Sequence, residues 1–237
     1  MGTLYVVATP IGNLGDITLR ALETLRTVDL IAAEDTRTSR KLLEHYQIKT
    51  PFTSYHQHSR ESKVNYLIEQ LTIGKNLALI TDAGTPGIQD PAGKIVQAAR
   101  IAGIEVLAVP GPSALTAALS IAGVNTDNFV FLGFLPKKKG RETLFKQIST
   151  WKLPLVIYES PMRVGKTLRD ALHYLGNRPA IIFRELTKKF EEVRSGSLIE
   201  LAEYFSKATP KGEFVIMILP ASKRGETASM RGEPKQK

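Results

Sequence analysis

Short runs of aliphatic and β-branched residues alternate with segments of helical periodicity along most of the chain. The first run, 4–8, reads as a buried strand. A loop rich in Pro, Gly and Asn follows, then a helix with Leu19, Leu22 and Leu25 on one face. Strand patterns recur at 30–33, 77–81 and 105–109, separated by helical patterns near 37–46, 60–72 and 92–102. This alternation predicts a mostly parallel α/β sheet, because parallel neighbours need a crossover and a helix usually supplies it. After Pro110-Gly111-Pro112 a helix of small residues is expected through about Ala122.

A second cycle follows, with strand patterns at 129–132, 155–158 and 180–183, a strand or hairpin near 193–195, and a last strand at 214–219. Helical patterns near 141–151, 163–175 and 198–206 connect them. Composition and charge both change near residue 120. The expected domains are therefore 1–120 and 121–221, with 222–237 a disordered basic tail that lacks apolar periodicity.

With 237 residues, 43% hydrophobic and 23% charged, the chain has globular composition and enough length for a sizeable core. No apolar run is long enough for a conventional membrane span, so no membrane partner is expected. The amino end lacks the basic region and the small-residue cleavage site of a secretion signal, and a cytoplasmic address is the expectation. The absence of cysteine excludes disulfides, thiolate zinc sites and cysteine nucleophiles.

Charge changes the picture once it is split. Residues 1–122 hold eleven Lys/Arg and eleven Asp/Glu, so the whole net charge of +9 falls in 123–237. A basic half of this kind points to a polyanion such as nucleic acid, or else to a solvated basic face and tail. The densest run is Lys137-Lys138-Lys139-Gly140-Arg141.

Three loops at predicted strand exits carry candidate chemistry: Thr9-Pro10-Ile11-Gly12-Asn13-Leu14-Gly15-Asp16, Asp82-Ala83-Gly84-Thr85-Pro86-Gly87-Ile88-Gln89-Asp90-Pro91, and Val109-Pro110-Gly111-Pro112-Ser113-Ala114. In α/β sheets ligands collect outside the carboxyl ends of strands, and glycine lets backbone approach them closely. A further cluster, Glu34-Asp35-Thr36-Arg37, offers carboxylates that could orient hydroxyls, or simply an N-cap at Asp35 with Glu34 near a helix start.

Other chemistries lack their signatures. No G-x-G-x-x-G fingerprint and no G-x-S-x-G elbow is present. The run from Ser160 to Thr167 approaches a Walker A loop, but Ser160 replaces its first glycine and Pro161 stiffens it. His56 and His58 have no third ligand at suitable spacing, so no metal is expected.

Taken in order, eight motifs resemble the tetrapyrrole-methylase superfamily of class III S-adenosylmethionine methyltransferases. They are Thr9-Pro10-Ile11-Gly12-Asn13, residues 33–37, residues 82–91, residues 109–114, Gly133-Phe134-Leu135-Pro136, Tyr158-Glu159-Ser160-Pro161 with Arg163, residues 184–189, and Lys211-Gly212-Glu213-Phe214. Within that superfamily the chain is similar to the branch that 2′-O-methylates a cytidine of 16S ribosomal RNA. Met162 stands where that branch usually has histidine, and Ala92 where it usually has glycine.

The resemblance implies two α/β domains with the donor, S-adenosylmethionine, in the cleft between them, and commonly a homodimer. Its donor site maps onto Pro10, Ile11, Gly12, Asn13, Asp82, Gly84, Thr85, Pro86, Gly87, Ser113 and Ala114, and onto Tyr158, Leu186, Lys211 and Gly212. Glu34, Asp35 and Arg37 are then the candidates to handle the ribose, with the base unassigned. Lys137, Lys138, Lys139, Arg141, Arg163, Lys188 and Lys189 are the candidate contacts to 16S rRNA in the 30S subunit. Two other readings compete: a superfamily methylase acting on a tetrapyrrole or other small molecule, and a non-catalytic RNA-binding protein.

Overall fold

Strand residues 77–80, Leu-Ala-Leu-Ile, are apolar at every position, and the computed structural model shows why: both faces of that strand are covered. The model describes residues 1–56, 61–206 and 210–221. Contacts divide the chain into two units, Met1–Ala117 and Ala118–Lys237.

The first unit holds strands β1 (Thr3–Val7), β2 (Leu30–Ala33), β3 (Phe52–Ser54), β4 (Leu77–Ile80) and β5 (Glu105–Val109). They form one parallel sheet in the order β3-β2-β4-β1-β5. On one face Leu77 and Leu79 pack with Leu67 and Leu71 of α3 (Glu61–Thr72) and Ile95 and Ala99 of α4 (Ala92–Ile101). On the other, Ala78 and Ile80 pack with Ala21 and Leu25 of α1 (Leu19–Thr27) and Leu43 of α2 (Thr36–His45). Two-sided burial of this kind removes the polar alternation that a one-sided sheet would show.

Three expectations change here. Leu19 does not share the buried face of α1; it is 86% exposed as the first helical residue after the Thr18 cap, while Ala21, Thr24 and Leu25 face inward. At 3.6 residues per turn, a shift of two positions re-aims the stripe. Strand β3 was not predicted, since three residues at a sheet edge give too little alternation to read. After β5, helix α5 (Ala114–Ser120) ends two residues before the expected Ala122.

The second unit holds β6 (Val130–Phe134), β7 (Leu155–Glu159), β8 (Pro179–Arg184), β9 (Glu192–Ser197) and β10 (Phe214–Ile218), ordered β6-β7-β10-β8-β9. It is a mixed sheet and not a second parallel one. Only β6 and β7 are parallel, and β10 inserts antiparallel to both β7 and β8, with Phe214 opposite Glu159 and Arg184. Strands β8 and β9 form an antiparallel pair joined by a turn rather than a helix. Helices α6 (Arg141–Ile148), α7 (Val164–Leu175) and α8 (Leu198–Tyr204) cover one core around Phe145, Leu168, Leu201, Ile157, Ile182 and Ile216. The start of α8 is fixed by a capping box in which Ser197 and Glu200 each satisfy the other's backbone amide.

The topology has one consequence for function. In the first unit the carboxyl ends of β1, β2, β4 and β5 lie along one sheet edge. In the second, β7 and β8 both oppose β10, so the carboxyl ends of β6, β7 and β8 share an edge with the amino end of β10. The expected tail at 222–237 and the His58 position lie outside the described residues.

Candidate active site

At the first unit's edge, the loops after β1 and β4 are joined by a two-residue antiparallel bridge. Thr9 N–H donates to the Gly84 carbonyl at 2.9 Å, and Gly84 N–H donates to the Thr9 carbonyl at 3.0 Å. The buried Thr9 hydroxyl donates to the Thr81 carbonyl at 3.1 Å, and the Thr85 hydroxyl reaches the Pro112 carbonyl at 3.1 Å. The three glycine- and proline-rich loops, separate in sequence, are thus one hydrogen-bonded cluster, the first two joined through backbone and the third through the Thr85 hydroxyl. Gly84 has φ +83, and a Cβ there would meet Ile11 Cγ2 at 3.3 Å and the Pro112 carbonyl at 3.7 Å. Gly87 has φ +93 and open space around it; its N–H is held by both oxygens of Asp90 at 2.8 and 2.9 Å. Pro10, Ile11 and Pro86 are buried behind the cluster, whereas Gly12, Asn13, Asp82 and Gly87 are exposed on it. Ser113 and Ala114 are half-buried at the start of α5. A cradle of exposed backbone with left-handed glycines fits a ligand gripped by main-chain groups.

The acidic cluster sits beside this cradle and is internally bonded. Glu34 Oε2 accepts from the Thr81 hydroxyl and from Asp82 N–H, and Asp82 Oδ1 accepts from Asp35 N–H at 3.1 Å. Asp35 caps α2, accepting from Arg37 N–H at 2.8 Å, and its other oxygen pairs with the Arg37 guanidinium at 2.6 Å. Hydrogen bonds from the Arg37 side chain and backbone lower the Asp35 pKa to about 2. Asp82 moves the other way: partial desolvation, then the nearby Glu34 carboxylate, raise its pKa. Asp35 is accordingly a weak base, and the strongest proton affinity of the pair lies at Asp82.

At the second unit's edge Tyr158, on β7, makes edge-to-face contacts with Phe131 at 4.9 Å and Phe134 at 5.8 Å. Leu186 is buried, and Lys211 is exposed with its carbonyl held by Arg184 Nε at 2.7 Å. Gly212, at φ +104, packs so closely on Glu185 that any Cβ would collide with that side chain. Glu185 Oε1 accepts from Glu213 N–H at 2.9 Å and from Lys188 Nζ at 2.8 Å. Burial pushes the Glu185 carboxyl up, but these donors outweigh it and the pKa falls. Glu185 and the fully buried Glu159 lie inside two of the motifs, residues 184–189 and Tyr158-Glu159-Ser160-Pro161, but the sequence assigns neither a role; their only further signal is a carboxylate at or just past the end of an apolar strand.

The basic candidates divide. Lys137, Lys138, Lys139 and Lys189 are exposed. Arg141, expected among the RNA contacts, is turned inward and occupied: it is 6% exposed, with Nε on Asp170 at 2.7 Å, one terminal nitrogen on the Thr167 hydroxyl at 2.8 Å and the other on the Pro136 carbonyl at 3.1 Å. Arg163 is held between Glu159 Oε1 at 3.2 Å and the Leu135 carbonyl at 2.6 Å. Lys188 spends its ammonium on Glu185 and Glu213. The Walker-like run is likewise internal, with the Thr167 hydroxyl donating to buried Glu159 at 2.6 Å and Lys166 paired with Asp170 at 2.8 Å.

Among the described residues no group of three or more acidic or histidine side chains is arranged to hold a metal ion, and no helix is long and apolar enough to cross a membrane.

Known proteins resemble this chain in sequence and in fold. It is 50% identical over 224 residues to the Ribosomal RNA small subunit methyltransferase I of Synechocystis sp., covering 94% of this chain and 80% of that one. The protein of the same name from Thermotoga maritima is 44% identical over 218 residues, covering 92% of this chain and 98% of its own length. Among solved structures, diphthine synthase superposes with a TM-score of 0.75 at 17% identity over 92% of this chain and 90% of that one. A cobalt precorrin-4 methyltransferase gives 0.68 at 16% identity, covering 92% and 94%. At such identities the likeness is one of fold. The family model of the tetrapyrrole (corrin/porphyrin) methylases matches residues 3–202. With its motif loops gathered at two sheet edges, this chain belongs to the tetrapyrrole methylase family.

Proposed function

We propose that the protein is an S-adenosylmethionine-dependent methyltransferase that modifies a cytidine 2′-hydroxyl in 16S rRNA of the small ribosomal subunit. The observation that carries this reading is identity of 44–50% across more than nine-tenths of the chain to relatives named as small-subunit rRNA methyltransferases. The concentration of the +9 charge in the second half supports a polyanionic substrate over a tetrapyrrole.

When bound, S-adenosylmethionine supplies a methyl group already activated on sulfonium sulfur. The chain's residues then have to align and desolvate, and to take up a proton. Backbone at Pro10, Ile11, Gly12, Asn13, Gly84, Thr85, Pro86, Gly87, Ser113 and Ala114 forms the proposed donor cradle, with Asp82 beside it. In the second unit Tyr158, Leu186, Lys211 and Gly212 have the same proposed task. Glu34, Asp35 and Arg37 orient the ribose: the low pKa of Asp35 suits hydrogen bonding better than proton abstraction. Transfer would form the oxygen–methyl bond as the methyl–sulfur bond breaks, and the proton of the 2′-hydroxyl, the group that separates RNA from DNA, would pass to a nearby carboxylate or to water. A homodimer acting in the cytoplasm completes the reading.

Incubation of undermethylated 30S subunits with tritiated S-adenosylmethionine, followed by nucleoside mass spectrometry, tests it. The expected product is 2′-O-methylcytidine in 16S rRNA. Labelling of a tetrapyrrole with none of the subunit would overturn the assignment.

A further inference from the structure

Phe134 ends β6 as a large aromatic that is half exposed, between Gly133 and Leu135, which are buried. Its ring is not loosely placed. Tyr158 supports it edge-to-face at 5.8 Å, and Tyr158 is itself braced by Phe131 at 4.9 Å. The two residues that follow are fastened from below: Arg163 donates to the Leu135 carbonyl and Arg141 to the Pro136 carbonyl. Those arginines are fixed in turn by Glu159, Thr167 and Asp170. Removing arginine and carboxylate from water is costly, so a buried network spent on two carbonyls of a surface segment argues that the segment's shape matters.

What the mount presents is a half-exposed aromatic side chain followed within three residues by Lys137, Lys138 and Lys139. Among the described residues none of the three ammonium groups is paired with a carboxylate. They precede the amino end of α6, where a helix disfavours cations, so folding alone does not account for them. An aromatic surface beside unpaired positive charge is what a single strand of nucleic acid requires: a base stacks on the ring while its phosphates neutralise the cations. A duplex, whose bases are already stacked, would use only the lysines.

We propose that Phe134 is the platform on which an unpaired base of the substrate RNA stacks, with Lys137, Lys138 and Lys139 on the adjoining phosphates. This rests on the function proposed above and assigns Phe134 a part in substrate recognition, with Arg141 and Arg163 as positioning residues behind it.

Anisotropy of a short labelled oligocytidylate, and steady-state methylation of 30S subunits, measured for Phe134→Ala, Phe134→Leu and Phe134→Trp, test the proposal. The Ala and Leu variants should bind the oligonucleotide about tenfold more weakly. The loss should appear in KM for the subunit more than in kcat, leave the salt dependence of binding and the calorimetric affinity for S-adenosylmethionine unchanged, and be restored by Trp. Parental affinity in the Ala variant, or full rescue by Leu, overturns stacking. A parallel loss of S-adenosylmethionine affinity also overturns it, because the ring would then serve the donor through Tyr158. A preference of the parent protein for duplex over single strand has the same result. A parent protein that shows the expected Phe134 dependence with the oligonucleotide but methylates no subunit supports the platform and overturns the function proposed above.

Discussion

Thr9 and Gly84, 75 positions apart in the chain, exchange both of their backbone hydrogen bonds, at 2.9 and 3.0 Å. The bridge ties the exit of β1 to the exit of β4 through main chain, and the Thr9 and Thr85 hydroxyls add side-chain ties to Thr81 and Pro112.

Gly84→Val should therefore be costly at the site. The residue needs φ +83, and its Cβ would press on Ile11 Cγ2 at 3.3 Å. Calorimetry with S-adenosylmethionine should show at least about a tenfold loss of affinity with folding retained. Unchanged affinity would remove this loop from the donor site.

Gly212 gives a matching test in the second unit. Any side chain at φ +104 displaces Glu185, whose carboxylate holds the Glu213 amide and Lys188. Gly212→Ala should lower both thermal stability and donor affinity. Glu185→Gln, which keeps an acceptor but loses the charge on Lys188, should recover more of the donor affinity than Glu185→Ala. Equal losses in the two Glu185 variants would show that the carboxylate has no role in shaping the loop.

The carboxylates of the first unit should oppose each other in acid titration. Asp35, depressed from 3.8 to about 2, contributes stability that is present above its unfolded pKa and lost as pH falls through that interval. Asp82, raised, has the reverse sign: its cost appears as pH rises through its folded pKa. Asp82→Asn should thus slightly raise Tm at neutral pH while weakening S-adenosylmethionine binding, and Asp35→Ala should lower Tm at neutral pH but much less near pH 2. Thermal melts across that range decide it; a lower neutral Tm for Asp82→Asn would contradict the assigned repulsion from Glu34.

Arginine and lysine in the run from Lys137 to Arg141 should separate cleanly. Arg141→Met leaves Asp170 partly buried without one of its partners and should destabilise the second unit by about 3 kcal/mol. Replacing Lys137, Lys138 and Lys139 together by Gln should leave stability unchanged, weaken binding to 30S subunits, and flatten its salt dependence by about one to two units. Chemical denaturation and titrations at several salt concentrations measure the two effects. A lysine variant with the parent's salt slope would reduce the run to a solvated turn.

That same run illustrates how far the sequence reaches. Four cations in five residues look equivalent in one dimension. Only packing shows that Arg141 has turned inward to Asp170 and Thr167 while the three lysines remain outside. Likewise Glu34-Asp35-Thr36-Arg37 was legible as a cluster with an N-cap at Asp35 as one reading, and only the structure shows that the cap bond to Arg37 N–H is made, since a cap and a ribose-binding carboxylate have the same spelling.

By itself the sequence determined the two-cycle α/β plan, the glycine- and proline-rich loops at the strand exits, and the basic second half. These are properties of local periodicity, turn chemistry and composition, which need no knowledge of distant neighbours. The tertiary structure decided what depends on distant pairing. It set β10, last in the chain, between β7 and β8, made the second sheet mixed, and so brought Tyr158, Leu186 and Lys211-Gly212 to one edge. It also joined Thr9 to Gly84 and fixed which charged groups lie buried. Strand order and burial are set by contacts across many tens of residues, and no window along the chain contains both partners.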